Sequence, residues 1–225
     1  MNRVAITTDR FDSVAREYLG VGLEPVPAPC VDVVAAVEGM LTRAREAASD
    51  ADLLLVTSAR TVELLWPGGG MPPTGVVTVG AMTAAAVEAA GGQVVVTGRS
   101  GLADLLDAAA DELGAARVAF PHAAGTDPGQ LARLRSLAQD LEEHEVYRAV
   151  PVRPDPINVQ AVVFASPSAV TGWLLARDLE DVVVGVIGAT TQAAVARHRM
   201  PEVIAPEPSH HSLARALTSY LEVSV

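Results

Sequence analysis

The chain has a single cysteine, Cys30, in 225 residues, which excludes an internal disulfide and any cluster of thiolates. Aromatic residues make up only 4% of it, although half of the residues are hydrophobic. The apolar content is mostly Ala, Val and Leu, a composition suited to closely packed helices over buried Val-rich strands. No apolar run approaches the 18 or so residues that a membrane span requires. The opening "MNRVAITTDR" enters a strand pattern directly, without the apolar core of a signal peptide, so a cytoplasmic, membrane-free protein is expected. Basic residues are few and scattered, the net charge is −11 and the pI is near 4.8; a nucleic-acid groove is therefore not expected. Familiar catalytic signatures are missing as well. There is no G-x-G-x-x-G after the first strand, no Walker lysine and no G-x-S-x-G elbow.

What is present is a repeat. "GAMTAAAV" (80–87) returns as "GATTQAAV" (188–195), with six of eight positions identical at an offset of 108. The same offset lays "VTSARTV" (56–62) on "FASPSAV" (164–170), matching Ser58 with Ser166 and Val62 with Val170. Two segments sharing one offset indicate an internal duplication.

Short Val-rich runs alternate with Ala/Leu-rich segments of helical length. Strands are predicted at 3–8, 23–27, 52–57, 75–79, 93–97, 116–120, 145–152, 160–165, 182–187 and 202–205. Helices are predicted at 9–19, 32–48, 59–66, 81–90, 101–113, 128–142, 168–178, 190–199 and 210–221. Continuous apolar strands between helices imply parallel sheets covered on both faces. The expected fold class is α/β: two similar doubly wound parallel-sheet lobes of about five strands each. Pro-marked segments "EPVPAP" (24–29) and "RAVPVRPDP" (148–156) set the boundaries. Residues 31–150 form the expected inserted lobe, and 1–28 with 153–225 the terminal lobe. Linker strands near 24–32 and 146–153 would pair as a two-stranded hinge.

In each half, strands give way to helices through small hydroxyl or glycine residues: "VTSA" and "VGAMT", then "FASPS" and "IGATT". Such turns leave backbone N–H groups uncovered at the positive end of a helix, which favours anionic ligands. They also lie at the carboxyl ends of strands, where open α/β sheets bind ligands, so both lobes are expected to line one cleft. For Ser58, Ser166 and Thr190 two readings stand, a helix cap or a ligand donor. His122, in "FPHAAGTDPG", reads as either a loop histidine on the surface or a cleft residue. His210 and His211 are adjacent and have no partner at helical spacing, so they read as the first turn of the last helix rather than metal ligands. "DLEEHEV" (140–146) reads as a solvated helix end. Tyr147, in the expected crossing strand, is either core packing or a phenol reaching the cleft.

The order of "VAITTDR", "DLLLVTSARTVELL", "VVTVGAMTAAAVEAAGG", "VAFPHAAG", "EVYRAVPV", "VVFASPSAV", "VGVIGATTQAAV" and "APEPSHHSLARAL" resembles the uroporphyrinogen-III synthase family over almost the whole chain. The resemblance implies two α/β lobes on a two-stranded linker. It implies an enzyme, a cyclising hydro-lyase without metal or cofactor. Its reaction closes hydroxymethylbilane to uroporphyrinogen III with loss of water and inversion of the last pyrrole ring, in tetrapyrrole (heme, siroheme or cobalamin) biosynthesis. Carried over by position, Tyr147 is the catalytic candidate, assisting departure of the hydroxyl group. Thr8, Arg10, Thr57, Ser58, Arg60, Gly80, Thr83, Pro121, His122, Ser166, Ser168, Gly188, Thr190 and Thr191 are the substrate-binding candidates, with Arg148 as a further cation; Arg60 and Arg148 read equally as solvated surface residues. A monomer functionally coupled to hydroxymethylbilane synthase is implied. The chain departs from the family pattern at "RPDPINVQ", where a helix is usual, at "FPHAAG", which lacks a basic residue, and at "SHHSL", which replaces a Pro-Thr helix start. The alternative is a non-enzymatic paralogue of the same fold, binding a small anionic or tetrapyrrole ligand.

Overall fold

The computed structural model describes residues 1–99 and 101–223; residue 100 of the expected inserted lobe and residues 224–225 of the expected terminal lobe lie outside them. In chain order the elements are β1 (Arg3–Ile6), α1 (Phe11–Leu19), β2 (Glu24–Pro27), β3 (Val31–Ala35), α2 (Glu38–Asp50), β4 (Leu53–Val56), α3 (Ala59–Leu65), β5 (Gly75–Val79) and α4 (Gly80–Ala89). Then follow β6 (Gln93–Gly98), α5 (Leu102–Ala108), α6 (Ala110–Ala115), β7 (Arg117–Ala123), α7 (Pro128–Leu137) and β8 (Asp140–Pro151). The chain ends with β9 (Ala161–Phe164), α8 (Pro167–Leu174), β10 (Val183–Val186), α9 (Ala189–Val195), β11 (Val203–Ile204) and α10 (His210–Val223).

Two compact units result: Met1–Asp32 with Ala149–Val225, and Val33–Arg148. The first holds a five-stranded parallel sheet in the order β11-β10-β9-β1-β2. The second holds β8-β7-β4-β5-β6 in parallel, with β3 added outside β8. β4 and β9 are buried at every residue, as strands covered by helices on both faces must be. One helix layer of the first unit packs around Trp173, Phe164 and Val184, the other around Tyr18, Leu213 and Leu217. The second unit repeats the plan, with Leu54, Val62 and Val87 under one face and Leu55, Leu105 and Phe120 under the other.

The duplication holds in three dimensions. Leu53 pairs with Gly75, and Ala161 with Val183, each partner displaced by the same 108 residues. From Gly80 to Glu88 and from Gly188 to Ala196, burial runs through the same sequence of exposed, half-buried and buried positions. The sheet orders coincide once β7 is matched with β1 and β8 with β2, a circular permutation of one ancestral order. Hydrogen bonds keep this match. The Arg3 amide donates to the Gln160 side chain at 2.7 Å and the Gln160 amide to the Arg3 carbonyl at 3.0 Å. In the second unit the Arg117 amide donates to the Asp52 carboxylate at 3.0 Å and the Asp52 amide to the Arg117 carbonyl at 2.9 Å.

The strand β2 closes one edge. Glu24 and Ala28 donate their amides to β1, to the carbonyls of Asn2 and Ile6, while the intervening odd positions 25 and 27 are prolines. At the other boundary β3 and β8 run antiparallel. Ala36 donates to the Val146 carbonyl at 2.9 Å in one unit, and Val152 to the Cys30 carbonyl at 2.9 Å in the other. Helix α8 comes down on the second of these bonds through Gly172, where any Cβ would stand 2.0 Å from the Cys30 carbonyl oxygen.

Several expectations are corrected. Residues 31–35 are strand, not the start of a helix, because the β-branched run "VDVV" pairs with β8; α2 begins only at Glu38. Helix α7 ends at Leu137, and "DLEEHEV" is the first half of β8, held in parallel register along β7 from Asp140. The 101–113 segment is two helices broken at Ala109, where the backbone leaves helical geometry. Among the described residues there are therefore eleven strands, in sheets of five and six.

Candidate active site

In an open α/β sheet, ligands gather where the strand order reverses, beyond the carboxyl ends of the strands. In the first unit the reversal lies between β1 and β9. Thr8 and Arg10 follow β1; Ser166 and Ser168 follow β9; Gly188, Thr190 and Thr191 follow the neighbouring β10. The junction is stitched by Thr7, a buried residue whose hydroxyl donates to the Val163 carbonyl at 2.7 Å. The half-buried Thr8 hydroxyl accepts from the Arg10 amide at 3.2 Å, shaping the "TTDR" turn before α1. Ser166 caps α8, accepting from the Ala169 amide at 3.2 Å, with Pro167 at a position whose N–H would have no helical partner.

The second unit repeats the arrangement between β7 and β4. Thr57, Ser58 and Arg60 follow β4, and Gly80 and Thr83 open α4 after β5. Ser58 caps α3, accepting from the Arg60 amide at 3.2 Å. The strand register equates Val4 with Val118, and so Thr7 with Pro121 and Thr8 with His122. Pro121 is buried inside β7, where a residue without an N–H is tolerated because pairing with β4 has ended at Ala119. His122 is not a surface loop residue. It sits on β7 with 3% exposure, stacked on Phe120 at 4.6 Å between ring centroids. Its Nδ1 lies 2.9 Å from the Ala123 carbonyl and 3.1 Å from the Thr126 hydroxyl. A carbonyl can only accept, so Nδ1 carries the proton in that contact and Nε2 is left as an acceptor.

Both "GA-T" turns begin helices without a side-chain cap, so their first amides are not closed off by the protein's own side chains. Gly80 takes φ +75, in the left-handed region that a residue with a Cβ resists. Gly188, its repeat partner, is extended. Thr83 and Thr191 are almost fully buried, at 5% and 3% exposure, whereas Ala81 and Met82 of one turn and Ala189 and Thr190 of the other are exposed.

Tyr147 owes its position to a β-bulge. β8 stays in register with β7 from Asp140 to Glu145, and then Ala123 pairs with Tyr147, leaving Val146 as an extra residue. Consecutive strand residues ordinarily point to opposite faces. Here Val146 and Tyr147 pack against the same cluster, the one containing Leu54, Val62 and Val87. The ring is half-buried, its own carbonyl accepts from the Ala124 amide at 2.7 Å, and among the described residues its hydroxyl has no hydrogen-bond partner. His122 belongs to the opposite face, with Phe120. Arg148, next along β8, is exposed.

Three further groups are shifted by burial. Burial pushes the Cys30 thiol up to about 12, so it is no nucleophile at neutral pH. His210 opens α10 and is held low by burial; its Nδ1 lies 2.9 Å from the Tyr18 hydroxyl, itself raised by burial and by the nearby Glu17 charge. No helix among the described residues is long and apolar enough to cross a membrane.

Comparison with known proteins follows the same lines. The crystal structure of a mutant uroporphyrinogen III synthase from the extremely thermophilic bacterium Thermus thermophilus superposes with a TM-score of 0.67 at 18% identity, covering 99% of this chain and 100% of that one. That of uroporphyrinogen-III synthetase from Helicobacter pylori 26695 gives 0.67 at 13% identity, covering 100% and 99%. These likenesses establish the two-lobed fold. A search of curated proteins finds no match. The family profile described as uroporphyrinogen-III synthase HemD matches residues 12–215, which takes in the switch point of the second unit, both "GA-T" turns and Tyr147. The chain belongs to the uroporphyrinogen-III synthase family.

Proposed function

We propose that the chain carries out the family reaction: it closes hydroxymethylbilane to uroporphyrinogen III, with inversion of the terminal pyrrole and loss of one water. The observation that carries this is the family match over residues 12–215. The substrate bears eight carboxylates and the protein a net charge of −11, so long-range attraction does not assemble the complex. Binding rests on local donors: the open amides of the Gly80 and Gly188 turns, the hydroxyls of Thr8, Thr57, Ser58, Ser166, Ser168 and Thr190, and the guanidinium groups of Arg10, Arg60 and Arg148. Pro121 and His122 shape the end of β7, with Nε2 of His122 as an acceptor for a pyrrole N–H. Thr83 and Thr191 hold the turns from within.

Tyr147 acts on the leaving group. Its phenol gives a proton to the departing hydroxyl as the C–O bond breaks, releasing water and an azafulvene cation. The azafulvene carbon bonds to the substituted α-carbon of the terminal pyrrole, giving a spiro-pyrrolenine. The older bond from that carbon to its methylene breaks, the azafulvene so released closes at the free α-position of the same ring, and the proton lost there returns to the Tyr147 phenolate. The substrate cyclises unaided to the uninverted isomer, so the protein's contribution is to hold the spiro geometry and keep the direct closure out. Such a reaction needs neither metal nor cofactor and classes the enzyme as a cyclising hydro-lyase. The same instability of the substrate favours direct coupling to hydroxymethylbilane synthase, and we place the enzyme, as a monomer, in the cytoplasm. The test is a coupled assay: with hydroxymethylbilane synthase supplying substrate, the type III isomer should predominate. Only type I product, with the protein equimolar to substrate, would overturn the reading.

A further inference from the structure

Far from the helix-start turns, the first unit carries a cavity of about 270 Å³ at the opposite end of its sheet. One wall is the segment leading into the amino end of β9, with Pro154, Pro156 and Ile157; the other is the end of α8 and the turn that follows it, with Trp173 and Arg177. Trp173 of this wall lies seven residues along α8 from the Ser166 cap, which at 1.5 Å per helical residue is about 10 Å. The candidate site described above lies at the other end of the sheet, at the carboxyl ends of the strands.

The cavity combines apolar walls with two arginines, Arg153 and Arg177. In a chain with 27 acidic residues against 16 basic ones, neither forms an ion pair among the described residues. Arg177 is nonetheless half-buried and held in place. Its guanidinium lies over the Trp173 ring at 5.6 Å, and one N–H donates to the Ile157 carbonyl at 3.3 Å. The indole beneath it is fixed in turn, its N–H donating to the Asp178 carbonyl at 3.1 Å. The carbonyls of Gly172 and Trp173 accept from the amides of Leu175, Ala176 and Arg177, which fixes the turn that carries the guanidinium. A guanidinium has five N–H donors in a planar fork that matches a carboxylate. One is used by Ile157, leaving an oriented and partly desolvated cation with spare donors in a hydrophobic recess.

We propose that this cavity is a binding site for a small monocarboxylate with a compact apolar body, the carboxylate on Arg177 and Arg153 and the body against Pro154, Pro156, Ile157 and the indole edge. A singly charged ligand is favoured because Asp155, exposed on the rim, opposes extra negative charge. Inorganic phosphate would meet that carboxylate and leave the apolar walls uncovered.

Isothermal titration of the full chain with benzoate, acetate and inorganic phosphate tests the assignment. Benzoate should bind one to one with a Kd of about 1 mM or tighter, and acetate and phosphate at least about tenfold more weakly. Arg177→Gln should weaken benzoate by about tenfold or more, the loss of one charge-assisted hydrogen-bonded pair. Arg153→Gln should weaken it severalfold and Asp155→Asn should strengthen it, whereas Arg43→Gln, a substitution in the second unit at a residue that does not line the cavity, should change nothing. Should Arg177→Gln fail to fold, the Arg153 and Asp155 substitutions decide alone, since both side chains are exposed. No saturable benzoate binding, equal or tighter binding of phosphate, or indifference to the Arg153 and Asp155 substitutions would overturn the proposal.

Discussion

Gly172 is where a single added carbon should do most harm. It lies within α8, and a Cβ built on it stands 2.0 Å from the Cys30 carbonyl oxygen, 2.7 Å from the Val152 carbonyl oxygen and 2.9 Å from the Cys30 carbonyl carbon. All three are backbone atoms, so no side chain can swing aside. Ordinary carbon–oxygen contact begins near 3.4 Å, so the helix and the strand beneath it must part by about 1.4 Å. Overpacking of this kind costs about 3 kcal/mol. The displaced carbonyl also accepts the Val152 amide at 2.9 Å, and weakening that bond adds about 1 kcal/mol. Against this, alanine gains about 1 kcal/mol over glycine inside a helix. Gly172→Ala should therefore lose about 3 kcal/mol in guanidinium unfolding followed by the emission of Trp173, which belongs to the same helix. Gly39→Ala in α2 is the counterpart: nothing lies within 4 Å of its Cβ, so it should gain about 0.4–1 kcal/mol. A Gly172→Ala protein within about 1 kcal/mol of the parent would refute the close approach of α8 to the Cys30–Val152 bond.

Two further outcomes follow from particular side chains. Tyr147→Phe should slow type III formation by at least about tenfold with little change in thermal midpoint, because the lost hydroxyl has no partner among the described residues; a parallel loss of stability and rate would assign the ring to packing alone. His210 is held neutral by burial, so the unfolded chain takes up its proton first as pH falls. Stability should be complete above the unfolded histidine value of about 6.5 and decline through it toward pH 5. Urea midpoints across that range check this, with His210→Asn expected to flatten the slope; an unchanged slope would remove His210 as its source.

The repeat is legible in the sequence because the segments that bear it are turns whose residue types are dictated by geometry. Ser58 and Ser166 cap equivalent helices, and the "GA-T" strings open equivalent ones. The permutation is also written in the chain, as "RVAITT" (3–8) and "RVAFPH" (117–122), but at an offset of 114 in the other direction. Searching at 108 alone runs β7 off the end of the sequence. β3 is hidden because Ala35, Ala36 and the residues after them suit a helix, and only pairing with β8 makes the preceding valines a strand. His122 is obscured for a related reason. "PHAAG" has the residues of a loop, and nothing local announces that β7 continues through Pro121 once β4 has stopped pairing with it. The Val146 bulge has no signature in composition at all, since it is a mismatch in length between two neighbouring strands.

The prolines of β2 act on the world outside the sheet. In a short parallel edge strand, residues of one parity turn their amides inward and those of the other parity outward. Here the inward set, Glu24 and Ala28, is bonded to β1, and the outward places at 25 and 27 are occupied by residues that have no amide hydrogen to offer. The rim can receive hydrogen bonds but cannot give them. A stray extended chain finds only half of the ladder it would need, so this border of an Ala- and Val-rich molecule resists templated self-association at no expense to the ladder within.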